Sequence, residues 1–402
     1  MSFLYGKKVK TYLCYMLAVF LVIGFAGSAF AQRKPNLHIG TLEFHPFAYY
    51  DQLYDTNIFL EPRGHENDDF ISDIGLGMAA KMPLIAEREE DFMIEGSYKM
   101  DILAFWRNSQ INRVDHTATG LLDLNFANDF RYTATEYFNK TADPPNSERT
   151  SLDKRLRNVL SQTLGYTREK ITLEAGYELT TDKYMQISNL NHNEHKFTAA
   201  SFYQIFPKTS LFGEYNFART VYHNNITNSD SIFNQGFFGI EGIIAPKLTG
   251  IAKAGFRFVD YDDKDASDWA GFALFVNVKY DATERTELNL YADRTSEEST
   301  YQGNSYYEKN KIGLNVNHEL MERLWIDGDT FLQYNVYPTE SLEGNQITKR
   351  RDTLWGLGSG LKYEIKEWLF VNGGYEFKQR DSKFDDLDYN DHKVSARLTL
   401  TY

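Results

Sequence analysis

The chain has 402 residues, a single cysteine, 15% aromatic residues and a formal charge of -13. That acidity, with no basic block to offset it, argues against nucleic acid or an anionic membrane surface as a partner. A negative mean hydropathy and the lack of any 18-residue apolar run beyond the N-terminus exclude a helical membrane protein. They leave room for a β-barrel, whose strands are apolar on one side only.

The N-terminus reads as a secretory signal peptide over residues 1–31. Lys7, Lys8 and Lys10 form a basic start, "TYLCYMLAVFLVIGFAG" an apolar core, and Ala29-Phe30-Ala31 a small-residue cleavage site. Cleavage after Ala31 makes Gln32 the mature N-terminus. It also removes Cys14, so the mature chain has no thiol for disulfides or for Cys-ligated metal. Losing three lysines and no acid takes the formal charge from -13 to -16.

From about Leu42 the sequence breaks into short stretches of period 2, the mark of strands with one apolar and one polar face. Phe92, Ile94, Tyr98, Met100 and Ile102 oppose Asp91, Glu95, Ser97, Lys99 and Asp101. Ile171, Leu173, Ala175, Tyr177 and Leu179 oppose Lys170, Thr172, Glu174 and Glu178. Leu248, Ala252, Ala254, Phe256 and Phe258 oppose Lys253 and Arg257. Tight turns are expected near Glu87, Asn128, Arg168, Pro207, Pro246, Ala282, Met321 and Lys366. Between them come long polar connectors such as "YDTNIFLEPRGHENDD", "NKTADPPNSERTS", "DKYMQISNLNHNEH", "YPTESLEGNQITKR" and "RDSKFDDLDYND". Alternation of short and long connectors along a whole chain is the habit of outer-membrane barrels. In hydrocarbon only a closed sheet leaves no unpaired backbone edge. The expected fold is all-β: a transmembrane antiparallel up-and-down β-barrel of about 18 strands over residues 32–402, integral to the outer membrane of a Gram-negative cell.

The chain ends "KVSARLTLTY". Val394, Ala396, Leu398 and Leu400 would face lipid, and Tyr402 would sit at the inner-leaflet boundary, where amphipathic rings prefer to lie. Leu398, Leu400 and Tyr402 also resemble the C-terminal signal read by barrel-insertion machinery. Trp325 and Trp368 follow tight turns and are expected near the periplasmic interface. Trp106, Trp269 and Trp355 lie near long connectors and are expected at the outer one. Strict alternation puts Trp325 on the polar face, which leaves a lumenal place open for it.

The N-terminal third carries a pattern of its own. "IGTLEFHPFAYYDQLYDTNIFLEPRGHENDDFISDIGLGMAAKM" is a strand, then the element Tyr54-Asp55-x-Asn57-Ile58-Phe59, then a second strand start. "IEGSYKMDILAFW" and His116 follow. Over about Ile39 to His116 this resembles the β-barrel porin family of exopolysaccharide operons (EpsL type). Ile74-Gly75-Leu76-Gly77 stands where that family often has Pro-Gly. The resemblance implies an outer-membrane location and a role in moving a secreted polysaccharide outward.

A barrel this wide leaves an aqueous channel unless it is plugged, and a connector folded inward would constrict it. The faces turned from lipid offer Glu95, Lys99, Asp101, Asp123, Arg131, Glu174, Glu178, Lys253, Arg257, Lys279, Asp327, Asp329, Lys362, Glu376, Lys378 and Arg397 as pore-lining residues. Charges of both signs do not suit a single-sign ion filter; with amides and the lumenal rings Phe275, Tyr291 and Phe331 they suit a hydroxyl-rich polymer. No catalytic constellation is present: there is no G-x-S-x-G, H-E-x-x-H or phosphate-binding glycine loop. "HENDD" (His65, Glu66, Asp68, Asp69), "NHNEH" (His192, Glu194, His195) and the acidic stretch Asp381, Asp385, Asp386, Asp388, Asp391 read as solvated connectors rather than metal sites. No cofactor is expected. The expected partners are outer-membrane lipids and lipopolysaccharide, the insertion machinery, periplasmic polysaccharide-export proteins and a polysaccharide cargo. Two alternatives keep the same barrel: a general diffusion porin for small hydrophilic solutes, and a non-conducting outer-membrane surface or structural protein.

Overall fold

The computed structural model describes residues 37–85, 91–126, 128–224, 228–301, 303–343 and 346–402. The expected signal peptide and the turn expected at Glu87 lie outside them. Every alternating stretch becomes a strand. In chain order these are β1 (Leu37–Ile39), β2 (Leu42–Asp55), β3 (Asp69–Pro83), β4 (Phe92–Phe105), β5 (Arg113–Asn125), β6 (Phe130–Thr141), β7 (Arg155–Arg168), β8 (Ile171–Tyr184) and β9 (His192–Phe206). There follow β10 (Thr209–Tyr222), β11 (Ser231–Ala245), β12 (Leu248–Tyr261), β13 (Trp269–Thr283), β14 (Thr286–Glu298), β15 (Tyr306–Met321), β16 (Leu324–Glu343), β17 (Gln346–Lys366), β18 (Leu369–Ser382) and β19 (Tyr389–Thr401).

β1 pairs with the start of β2. From β2 onward each strand pairs antiparallel with the next, and β19 returns to β2, from Lys393↔Asp55 to Thr401↔Phe47. The result is a closed antiparallel barrel of 18 strands, β2 to β19. With strands about 4.8 Å apart and tilted about 40°, its backbone is roughly 36 Å across. Closure pairs the backbone internally, the condition for standing in hydrocarbon.

The tight turns fall where the sequence puts them. At two of them Lys247 (φ 64) and Arg323 (φ 68) take the left-handed conformation, and the register slips beside each, at Ile243/Ala245 and Glu319/Met321. That is the geometry of a type I turn closed by a bulge, which reverses a strand in few residues. Both ends of the barrel chain lie at this short-turn rim. The long connectors gather at the opposite rim, with one departure from expectation. Residues 337–350, read as a connector, are mostly strand: β16 and β17 run on past their neighbours and pair to Glu343↔Gln346. Polar composition marks solvent on one face only: Leu342 (59% exposed) and Ile347 (69%) point outward, while Tyr337, Ser341 and Arg350 on the other face are buried.

Alternation sorts the two faces. Phe238 (66% exposed), Phe256 (59%) and Val394 (53%) belong to an outward belt of apolar side chains, the surface that meets lipid. Cross-strand partners share a face, so the polar set turns inward along with its neighbours.

The wall is uneven at one place. β13 and β14 pair only up to Leu274↔Arg294. Beyond it, Trp269–Ala273 pair with β12 alone and Thr295–Glu298 with β15 alone. Arg294 Nε donates to the Phe272 carbonyl at 3.2 Å across the gap. The freed end of the β14–β15 hairpin leans into the barrel and sets Tyr306 on the inner wall, with Ala218, Phe233, Val259 and Trp269 in one buried cluster. Trp269 (4% exposed) is therefore no interfacial ring. It lies at the outer end of its strand, as expected, but inside, because its strand shares parity with the lumenal face and a hairpin covers it.

Candidate translocation pathway

The register puts the sixteen residues expected to line a pore on one face of the sheet, opposite the outward apolar belt, and most have a partner of opposite charge. Lys99 lies 2.8 Å from Asp101, Arg131 2.7 Å from Asp123, and Lys253 2.8 Å from Glu214. Glu178 is 2.6 Å from Lys196, Arg397 2.6 Å from Asp51, Glu95 3.5 Å from Lys81, and Lys279 3.1 Å from Glu287. Lys378 pairs with Glu376. Lys362 lies over Trp325 (5.6 Å) and Phe370 (4.8 Å), which places Trp325 in the lumen. Asp327 and Asp329 lie against Gly360 and Gly358, and Glu174 stands beside the Arg131–Asp123 pair on the same face. Pairing neighbours leaves patches of both signs and no single-sign ring.

Several inward rings lie flat against the wall over a glycine of the next strand. A Cβ at Gly75 would stand 2.0 Å from Tyr49, and one at Gly313 2.2 Å from Tyr291. Here glycine is required by close approach rather than by backbone conformation. Tyr49 is further held by Asp101 (2.5 Å), Asp73 (3.1 Å) and Arg397, whose guanidinium is 4.3 Å from its ring centre.

The decisive feature is one the alternating pattern cannot supply. The β6–β7 connector, residues 142–154, crosses the barrel. It meets β16, eight strands away from β6 by the shorter way round. There Gln333 and Asn335 donate to Ser147 Oγ (2.7 and 3.1 Å), and Arg380 donates to the carbonyls of Ser147 and Glu148 (3.3 and 3.1 Å). Pro144-Pro145 stiffen the approach. Asn146 Oδ1 then accepts the backbone N–H groups of both Glu148 and Arg149 (3.1 Å each), an Asx turn that aims the next side chains.

Glu148 carries the contact to the leaning hairpin. Its carboxylate accepts from Ser299 Oγ (2.9 Å) and from the Thr300 N–H (3.2 Å). Burial pushes this carboxyl above its ordinary range, against the pull of Ser299, Arg350, the Thr300 N–H and Arg149. Beside it Arg350, 1% exposed, is held between the rings of Tyr301 and Tyr337, 4.4 Å from each centre, and is bonded to Asp352 at 2.6 Å. A desolvated cation between two rings gains about 2 kcal/mol from each good face, and its bidentate carboxylate fixes its orientation. Ser147, Glu148, Tyr301, Tyr337, Arg350 and Arg380 form a polar latch across the outer mouth. No periodicity marks them; the only local signal is a Pro-Pro-Asn turn in an unusually long connector.

The Tyr54–Phe59 element proves structural. Asn57, fully buried, donates to the carbonyls of Glu61 (2.9 Å) and Asn390 (3.0 Å), and Asp55 binds Lys393 at 3.0 Å. These bonds tie the first long connector to β19 at the seam where the barrel closes. Asp69 accepts the backbone N–H groups of Trp106, Arg107 and Asn108 (3.0, 3.0 and 2.9 Å), a bracing role rather than metal binding. Glu194 and His195 point to opposite faces, His195 meeting Tyr177 at 2.9 Å.

Three solved structures are similar to this chain. OccK2 (OpdF) of Pseudomonas aeruginosa is 10% identical, with a TM-score of 0.49 over 90% of this chain and 98% of that one. OccAB4 of Acinetobacter baumannii is 12% identical, with a TM-score of 0.48 over 92% and 100%. The siderophore receptor PirA of Pseudomonas aeruginosa is 10% identical, with a TM-score of 0.45 over 89% and 80%. No curated protein matches the chain in sequence. The family model described as "Putative beta-barrel porin 2" matches residues 37–402, and the chain belongs to that β-barrel porin family, as an integral protein of the outer membrane.

Proposed function

We propose that this barrel is the outer-membrane conduit for a secreted exopolysaccharide, passive in itself and given direction by periplasmic export proteins. The observation that carries the reading is the lumen. It is wide enough for a hydrated polymer, lined by paired charges and wall-lying rings that offer many weak contacts, and barred at its outer mouth by a latch. The latch is fastened mainly by polar contacts from Gln333, Asn335, Arg380 and Ser299, which suits a gate. A polymer that slides needs contacts strong enough to enter and weak enough to leave. The resemblance of Ile39 to His116 to porins of exopolysaccharide operons supports the same cargo, although the residues that carry it brace the rim. Deleting the gene is expected to abolish surface polysaccharide while synthesis continues; unchanged secretion would refute the proposal.

The pairing of most lumenal charges favours a second reading, a general diffusion porin for small hydrophilic solutes. It predicts a steady open conductance in reconstituted protein rather than a latched one.

A further inference from the structure

Where the β14–β15 hairpin leans on the inner wall, it encloses a cavity of about 250 Å³ bounded by Arg257, Ser296, Thr220, Tyr261 and a ring of glutamates. At about 30 Å³ per water this is some eight waters of space, room for one six-membered sugar ring. Its polar groups are not equally engaged. Glu298 accepts from Ser231 (2.9 Å) and from Tyr222, Glu297 from Tyr307 and Lys309, and Glu194 from Thr220 (3.4 Å). Tyr261 spends its hydroxyl on the Ser305 carbonyl (3.1 Å). Two buried groups have no hydrogen-bond partner: Arg257 Nε and Ser296 Oγ. Arg257 instead lies over the Phe233 ring, 3.9 Å from its centre.

Arg257 Nε can only donate and Ser296 Oγ can donate or accept, so the cavity asks its occupant first for an acceptor, since a buried unpaired donor is costly. Three nearby glutamates oppose an occupant with a full negative charge. Val259 and the rim of Phe233 supply the apolar floor on which the C–H face of a pyranose rests. We infer that this cavity is a binding subsite for one neutral or N-acetylated sugar residue of the passing chain, held by Arg257 and Ser296. The identification deepens the conduit reading and rests on it for the source of the ligand.

The test uses the purified full barrel in detergent and calorimetry with three hexasaccharides: a neutral glucan, an N-acetylglucosamine oligomer and an oligogalacturonate. The first two are expected to bind, and the uronate at least tenfold more weakly. Ser296→Ala is expected to weaken neutral binding about fivefold and Arg257→Gln ten- to a hundredfold, as for loss of a neutral and a charged hydrogen bond. Heat-dependent gel mobility checks that each barrel is folded, and the small Ser296→Ala change keeps the test decisive if Arg257→Gln is not. Equal affinity in wild type and Ser296→Ala, tightest binding of the uronate, or no binding of either neutral sugar would overturn the subsite. Secretion in the deletion strain separates the two claims: binding with unaltered secretion keeps the subsite and overturns the conduit, and the reverse result overturns the subsite alone.

Discussion

Glu148→Ala is the sharpest probe of the latch. The substitution removes the acceptor for Ser299 Oγ and the Thr300 N–H and strips the carboxylate from beside Arg350. A hydrogen bond to a charged acceptor is worth about 1.5–3 kcal/mol, and two are lost. The docked connector keeps its bonds from Gln333, Asn335 and Arg380, so only the loss at Glu148 is charged against docking. Taking the low end, about 3 kcal/mol, the ratio of undocked to docked connector rises by about two orders of magnitude. The barrel wall is untouched, because Glu148 adds nothing to the strand ladders. Single-channel recording in planar bilayers reads the ratio directly. Wild type is expected to stay at one low level with rare excursions, and Glu148→Ala to occupy a second, larger level for much of the record. A folded Glu148→Ala barrel with the conductance and the dwell times of wild type would refute the reasoning.

The same carboxyl gives the latch a pH dependence whose sign is fixed. Docking raises the Glu148 pKa, so its contribution is complete below the ordinary glutamate value of about 4.3 and is lost as pH climbs through the raised value. Arg149, Arg350 and Tyr337 face it from its own connector, β17 and β16. The large level should therefore become more frequent as pH rises through that window, and Glu148→Gln should flatten the dependence. Gly75→Val drives a side chain into Tyr49, dislodging the ring from Asp73 and Asp101. Overpacking plus stranded acceptors predicts a loss of about 2–5 kcal/mol in urea unfolding, while Gly213→Ala, with nothing within 4 Å of the new Cβ, should be silent. Removing Tyr402, whose N–H donates to the Pro46 carbonyl at 2.9 Å, is expected to slow barrel insertion in cells several-fold, scored as the fraction of heat-modifiable protein; normal insertion would show that Leu398 and Leu400 suffice.

How much of this was legible in the sequence follows from what each feature rests on. A strand wall rests on period 2, and "KVSARLTLTY" or the Phe92–Phe105 stretch declares both its conformation and its lumenal face without help from anything distant. Strand number followed because short turns and long connectors alternate. Trp269 shows the limit. Its position along the strand was readable, but its concealment depends on the β14–β15 hairpin leaving the wall beyond Leu274↔Arg294, a tertiary choice that no local pattern records. The latch was hidden for the same reason. Ser147 and Glu148 gain meaning only from Gln333, Asn335, Ser299 and Arg380, more than 150 residues away, and Arg350 sits in a stretch whose polarity suggested a loose connector. The Tyr54–Phe59 element was visible as a pattern, while its work of fastening the closing seam appeared only when Asn57 was found against Asn390.

The central claim is that the β6–β7 connector bars a route used by polymer. Ser147→Cys with Asn335→Cys, joined in intact cells by a short cleavable bis-methanethiosulfonate linker, pins the connector to β16 where the two side chains already meet at 3.1 Å. Surface polysaccharide is predicted to stop accumulating on linking and to resume once reductant cuts the linker. Secretion that continues at the wild-type rate with the connector pinned would contradict the account.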